Sequence, residues 1–284
     1  MEGQNAPQPN SLRWDHSAEE IVSLTDELIK DQTAIIESVI NLEGARSFKN
    51  TIEPIAKFEY DCGKIGNNMQ FYKHMSTSKE LRDASLAASK KLDDFGIELW
   101  MRYDFFQAMK QYKDASVESK EWDTLDAESQ RFVDRILRDF DRNGMQFPEE
   151  KRQQIKTLLT QISDLERDCS NNINNDKTRC EFEEKDLEGI PEKTLDKFEK
   201  VPEKEGWRYV SMKYPEVLPA LKLCKNEGTR EKLSLAYNTR CVTENIPLLE
   251  DLVGKRHEVA KLLGFSSYSE YILAIRMAKA PMNV

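Results

Sequence analysis

The sequence predicts a mainly α-helical protein with a short irregular or β excursion near residues 180–215. Charged residues make up 33% of the chain and apolar residues 39%, a balance typical of amphipathic helices with charged outer faces. Only 11 glycines and 10 prolines occur in 284 residues, too few for the turns of a many-stranded β protein. A chain of this length can bury a substantial core.

The N-terminal part begins with a clear helix signal. A Ser-Ala-Glu-Glu capping box at residues 17–20 precedes apolar residues at helical spacing, which predicts a helix over residues 18–39. Residues 54–75 are also predicted helical, although Gly63 and Gly66 weaken the prediction of one continuous helix.

Three further apolar stripes predict helices over residues 78–109, 126–143 and 148–165. The first contains methionines and aromatic residues that could line a ligand pocket, but at this spacing core packing is the better interpretation. Gly144 supplies a left-handed residue to close the second helix. Pro148 suits the first turn of the third.

The pattern changes between residues 179 and 219. Glycines and prolines interrupt the helical period, and residues 207–212 alternate like a short strand. We expect a small irregular or β excursion here and not a new domain. Helices are predicted to resume over residues 215–224, 229–239, 246–263 and 267–277.

Charge and composition restrict the class of protein. A net charge of -9 gives no basic face for nucleic acid, and no apolar run is long enough to cross a bilayer. We expect residues 1–12 to form a polar, disordered lead-in, since they lack signal-peptide features, and residues 13–284 to form one helical region. The five cysteines have no C-x-x-C spacing, which favours reduced thiols in the cytoplasm.

His257-Glu258-Val259-Ala260-Lys261 opens like the H-E-x-x-H zinc motif but has a lysine in place of the second histidine. A protonated lysine has no lone pair for a metal, and His16 and His74 are far away in sequence. We therefore interpret His257 and Glu258 as part of a solvated helix face. No residue of this chain is predicted to be catalytic, cofactor-binding or metal-binding.

Other sequence patterns also give no site. Gly63 and Gly66 match neither phosphate-loop motif. Adjacent acidic pairs such as 93–94 and 149–150 diverge on a helix and cannot converge on one substrate atom. A cysteine nucleophile would need a histidine partner that the sequence alone cannot place.

Several blocks nevertheless resemble the thimet oligopeptidase, neurolysin and saccharolysin family of zinc metallo-oligopeptidases. The resemblance covers nearly the whole chain and is most specific near its C-terminal end. The blocks are Leu12-Arg13-Trp14-Asp15, Lys90-Lys91-Leu92, Met101-Arg102, Asn143-Gly144 with Pro148, Ser163-Asp164-Leu165, Asn171-Asn172-Ile173-Asn174, Lys213-Tyr214-Pro215, Arg240-Cys241 with Glu244-Asn245, Leu262-Leu263-Gly264-Phe265, Tyr271 and Met277-Ala278-Lys279.

The resemblance implies a helical fold split by a deep channel that admits short peptides. It places the zinc-binding H-E-x-x-H helix C-terminal to the block ending at Lys279, so this chain would form one channel wall and bind no zinc itself. Our leading hypothesis is the N-terminal portion of a zinc oligopeptidase, which exposes apolar surface that the missing catalytic half covers. The alternative is a stand-alone, non-catalytic helical module that binds peptides or a partner protein.

Overall fold

A computed structural model describes residues 12–284, so all but the last residue of the predicted lead-in lies outside the described residues. The described part is mainly helical, as predicted, with one pair of short strands. Its regular elements are α1 (Ala18–Ile40), α2 (Glu53–Met75), α3 (Lys79–Trp100), α4 (Tyr103–Glu118), α5 (Ala127–Arg142), α6 (Glu149–Asn175), β1 (Arg179–Glu183), α7 (Glu192–Leu195), β2 (Trp207–Ser211), α8 (Tyr214–Leu223), α9 (Glu227–Thr239), α10 (Val242–Leu262) and α11 (Tyr268–Leu273).

Contacts within the chain divide these elements into two compact units. The first unit contains residues 12–167 and 252–284, and the second contains residues 168–251. Whether residues 13–284 act as one helical region, as the sequence predicts, stays a prediction.

The capping box predicted at the start of α1 is present. The Ser17 hydroxyl accepts the backbone N–H of Glu20, and the Glu20 carboxylate accepts the backbone N–H of Ser17. Ser78 and Asp126 cap α3 and α5 in the same way through one side-chain oxygen each. These caps satisfy backbone donors that a helix start leaves without partners.

In the first unit α1, α2 and α3 pack against one another, and α1 and α3 run parallel. Two ion pairs agree with this direction. Lys91 of α3 binds Asp26 at 2.7 Å, and Arg102, two residues beyond the end of α3, binds Glu37, which lies eleven residues further along α1. The main core lies where α1, α4 and α5 meet. It contains Ile36, Val39, Phe105, Met109, Tyr112, Val133 and Phe140.

One sequence prediction in this unit needs correction, and another is confirmed. The single helix predicted over residues 78–109 is wrong, because the chain leaves helical geometry at Arg102 before α4 begins. Arg102 there binds Asp104 and Glu37, an arrangement that no local sequence signal marks. In contrast, α2 continues through both glycines. A Cβ on Gly66 would make an ordinary contact with Leu28 at 3.5 Å, so the helix does not require a glycine at this position.

The second unit contains the predicted β excursion. Strands β1 and β2 pair antiparallel, with Glu181 opposite Tyr209. The buried residues Cys180, Phe182 and Val210 pack with apolar residues of α8 and α9. Two strands alone are marginally stable in water, and this cluster supplies the apolar face that they need.

Candidate functional site

The three residues that open like a zinc motif lie on the solvent side of α10. His257, Glu258 and Lys261 are all exposed, whereas the neighbouring Val259 and Ala260 are buried. A solvated helix face therefore accounts for the pattern, as the sequence predicts. Within residues 12–284, no group of three or more His, Cys, Asp or Glu side chains could hold a metal ion.

The structure also explains two other sequence patterns that were considered as possible sites, the glycine pair and the cysteines. Gly63 and Gly66 lie inside α2 and not in a phosphate-binding loop. All five cysteines lie in the described part and are free thiols. Burial raises the pKa of the Cys180 and Cys241 thiols, and Asp176 and Glu244 add to this effect at Cys241. A thiol with a raised pKa is a poor nucleophile at neutral pH.

The second unit brings together blocks that are distant in the sequence. Asn245 accepts a hydrogen bond from Asn172 at 2.8 Å and donates one to the carbonyl of Cys169 at 3.1 Å. Lys213 donates to the carbonyl of Asn174 at 2.8 Å. These bonds join the starts of α8 and α10 to the end of α6. They therefore support the fold, and none of these groups is placed to activate a nucleophile.

Two tyrosines and an arginine lie beside this junction. The Arg240 guanidinium lies 3.9 Å from the Tyr237 ring centroid, and the rings of Tyr214 and Tyr237 are 6.4 Å apart. A hydrogen bond from Arg240 lowers the pKa of Tyr237, whereas the hydrogen bond with Tyr237 raises that of Tyr214. Cys241, which follows Arg240, adopts a positive φ of 55° between α9 and α10. The junction thus has a fixed and strained backbone.

The start of α10 carries an apolar stripe that the described residues cover only in part. Val242, Ile246 and Leu249 are 41%, 49% and 53% exposed. At 100° per residue their side chains fall within about 60° of one another around the helix axis. On a helix, such a stripe normally packs against another element.

The C-terminal end of the first unit is similarly exposed. Met277, Met282 and Val284 are each at least 90% exposed. Of the twenty large apolar residues that are exposed in the described part, ten lie beyond residue 220. Because those 65 residues are less than a quarter of the chain, exposed apolar surface is concentrated there.

Residues 220–284 match the sequence model of peptidase family M3. The chain is also 34% identical over 274 residues to the thimet-like oligopeptidase of Dictyostelium discoideum, which covers 96% of this chain. The chain is therefore similar to members of peptidase family M3 over nearly its whole length. The saccharolysin of Saccharomyces cerevisiae is 34% identical over 98% of the chain, and the oligopeptidase A of Salmonella typhimurium is 28% identical over 94%.

The M3 relatives are much longer than this chain. It spans 41% of the Dictyostelium protein, 39% of saccharolysin and 40% of the Salmonella protein. The family match and the concentration of exposed apolar residues fall on the same segment, residues 220–284. Among the described residues, no helix is long and apolar enough to cross a membrane.

Sequence reasoning missed the candidate interface on α10. The i, i+4, i+7 spacing of Val242, Ile246 and Leu249 was available as a signal. However, the same spacing occurs in α1, where the apolar residues are buried. Periodicity identifies a stripe and does not say whether the same chain covers it.

Proposed function

We propose that this chain is the N-terminal part of a cytoplasmic zinc metallo-oligopeptidase that hydrolyses short peptides. In this proposal its helices form one wall of the substrate channel and support the catalytic half, and they supply no catalytic residue. The relatives named as oligopeptidases support this proposal, since they match almost the whole chain at 28–34% identity. The net charge of -9 argues against nucleic acid as a partner.

The observation that carries the proposal is the uncovered stripe of α10 within the M3-matched residues. Three large apolar side chains in a row at a water-exposed helix face are unfavourable unless another surface covers them. Family relatives have more than twice the length of this chain and so have the additional residues to do this. We propose that the catalytic half covers Val242, Ile246 and Leu249.

Zinc in such an enzyme would require ligands from outside this sequence. The donors present do not fit the ion, because His257 is followed one turn later by Lys261 and no suitable group occurs among residues 12–284. We therefore assign no step of peptide hydrolysis to residues of this chain.

The activity is tested on the complete gene product that contains this sequence. We expect it to cleave a short fluorogenic peptide, to lose this activity with a chelator and to regain it with zinc. We also expect it to cleave a free peptide but not the same peptide sequence when it is part of a folded protein. Peptide hydrolysis that is unaffected by metal removal, or no hydrolysis at all, would contradict the proposal.

The interface is tested by the substitution Ile246→Lys. In the isolated chain we expect it to reduce both self-association and the binding of a dye sensitive to apolar surface. In the complete gene product it should weaken the contact with the catalytic half and lower the thermal midpoint.

Thr243→Lys is the matched control, because Thr243 is exposed on the same helix about a quarter turn from the stripe. It should change neither dye binding nor the thermal midpoint. If the isolated chain is a monomer that binds no dye, or if the two variants behave alike, the α10 stripe is not an interface with the catalytic half.

A further inference from the structure

A second surface, in the first unit, has a different character from the stripe on α10. An open groove of about 750 Å³ lies between the N-terminal parts of α1 and α3. Its floor consists of Ala18, Val22 and Ala84. The groove runs along α1 from Ala18 to Lys30, a distance of about 18 Å at the helical rise per residue.

The rim of this groove is acidic. Glu19, Glu27 and Glu80 are exposed along it, and no ion pair to them occurs among the described residues. Glu19 accepts a backbone N–H and the Ser17 hydroxyl, the latter at 2.8 Å, and Glu27 accepts the Ser23 hydroxyl at 3.4 Å. Three carboxylates therefore border an apolar floor and remain available to a cationic ligand.

The other two charged residues of the groove change its negative electrostatic potential little. Asp26 is neutralised by Lys91 at 2.7 Å. Lys30 is the one basic residue that lines the groove, at its far end along α1. With Asp26 neutralised, the lining retains three acidic residues and one basic residue, an imbalance that favours a basic ligand.

The shape of the groove favours a helix over an extended peptide. An extended peptide usually binds at the edge of a sheet, where its backbone groups find partners, and two helices offer no such edge. A helix satisfies its own backbone hydrogen bonds. The small side chains of Ala18 and Ala84 would allow it to approach both α1 and α3 closely.

We propose that the α1/α3 groove binds a basic amphipathic helix of a partner protein. The apolar face of this helix packs on Val22 and the two alanines, and its lysines or arginines bind Glu19, Glu27 and Glu80. A second copy of this acidic groove would repel the first, so the partner is not another molecule of this chain docked through the same face. This site is independent of the proposed peptidase function.

The test uses a labelled synthetic helix of about 14 residues, which matches the length of the groove. Leucines lie on one face at i, i+3, i+4 and i+7 spacing, and lysines occupy the other positions. Its binding to the full chain is measured by fluorescence anisotropy at physiological salt. A scrambled peptide of the same composition, with no apolar face, should bind at least tenfold more weakly.

The first variant is Glu19→Gln/Glu27→Gln/Glu80→Gln, which should weaken binding about tenfold. Its matched control is Glu128→Gln/Glu150→Gln/Glu258→Gln. Glu128 and Glu150 occupy first-turn positions of α5 and α6, as Glu19 and Glu80 do in α1 and α3, and Glu258 is exposed within α10 as Glu27 is within α1. The control removes the same charge and should change the affinity less than twofold.

A second comparison tests the apolar floor. Val22→Lys should weaken binding at least tenfold, whereas Val117→Lys, at another exposed valine of the first unit, should not. Circular dichroism verifies that all variants are folded. The proposal is overturned if both triple variants weaken binding equally, if the scrambled peptide binds as well, or if Val22→Lys dissociates a dimer of the chain without affecting peptide binding.

Discussion

Helices α1 and α10 are similar in length, with 23 and 21 residues, but their apolar residues have opposite environments. In α1, Ile21, Leu28, Ile36 and Val39 are buried beneath α2, α3 and α4. In α10, Val242, Ile246 and Leu249 are about half exposed. The difference lies in what surrounds each helix and not in its sequence pattern. The chain buries these four residues of α1, whereas it leaves the three apolar residues at the start of α10 about half exposed.

The largest difference is expected between two single isoleucine substitutions, one in α1 and one in α10. Ile36→Ala should cost about 2–5 kcal/mol of unfolding free energy, because Ile36 is 2% exposed and its removal leaves a cavity beside Phe105 and Met109. Ile246→Ala should cost less than about 0.5 kcal/mol, since this side chain is half exposed. Urea denaturation of both variants measures the difference, and equal losses would show that α10 is covered in the isolated chain.

Alanine substitutions at two glycines that follow helices should give a difference in stability of intermediate size. Gly144 and Gly264 have φ of +79° and +91°, so an alanine at either position costs about 1–2 kcal/mol. A Cβ on Gly144 would also lie 2.6 Å from Ile155 Cδ1 and 3.0 Å from Phe147, whereas one on Gly264 meets nothing within 4 Å. Gly144→Ala should therefore cost about 1–3 kcal/mol more than Gly264→Ala.

Thermal unfolding of the two alanine variants, at equal protein concentration, measures this contrast. Gly264 lies two residues beyond the end of α10, and no described atom lies within 4 Å of the position its Cβ would take. If Gly264→Ala proved as costly as Gly144→Ala, the space beyond α10 would have to be occupied, which is contrary to the comparison made above.

The smallest effect concerns the polar contacts that hold α1 to α4. Arg102 binds Asp104 through two bonds of 3.0 and 2.6 Å and also binds Glu37 of α1. The hydrogen bond from Arg102 lowers the pKa of Asp104 below its ordinary value of 3.8. This stabilisation is therefore present above pH 3.8 and is lost as the pH falls through the lower pKa of the folded state.

Asp104→Asn should destabilise the chain at pH 7 by less than about 1 kcal/mol, because the Asp104 side chain is half exposed and the pair is screened by solvent. The difference from the unsubstituted chain should shrink as the pH falls below 3.8. Asp114→Asn, an exposed position on α4, is the control and should show no such pH dependence. Urea midpoints across this pH range measure both variants.

Much of this architecture was predictable because its signals are local. Ser17 and Asp126 have side-chain oxygens at the correct distance from the first backbone donors of their helices, and Gly144 permits the left-handed turn after α5. Those requirements are met within a few residues of sequence. The strand character of β2 was likewise suggested by simple alternation, whereas its pairing with β1 was not.

The break between α3 and α4 could not be predicted, because it depends on contacts distant in sequence. Arg102 leaves the helix to bind Glu37, which lies 65 residues earlier. The α1/α3 groove has the same origin, since Glu27 and Glu80 become neighbours only when the two helices pack in parallel. The interpretation of His257 and Glu258 as part of a solvated helix face depended on one position, Lys261, and could be made from the sequence.

The most direct test of the account compares the isolated chain with the complete gene product that contains it. A Leu249→Cys variant of each is treated with a maleimide, and labelling at position 249 is followed by peptide mass spectrometry. Val117→Cys, an exposed position on α4, serves as the reference. If the catalytic half covers the α10 stripe, labelling at 249 is at least tenfold slower in the complete protein. Equal rates in the two proteins would contradict the proposal that this stripe is an interface within the M3 peptidase.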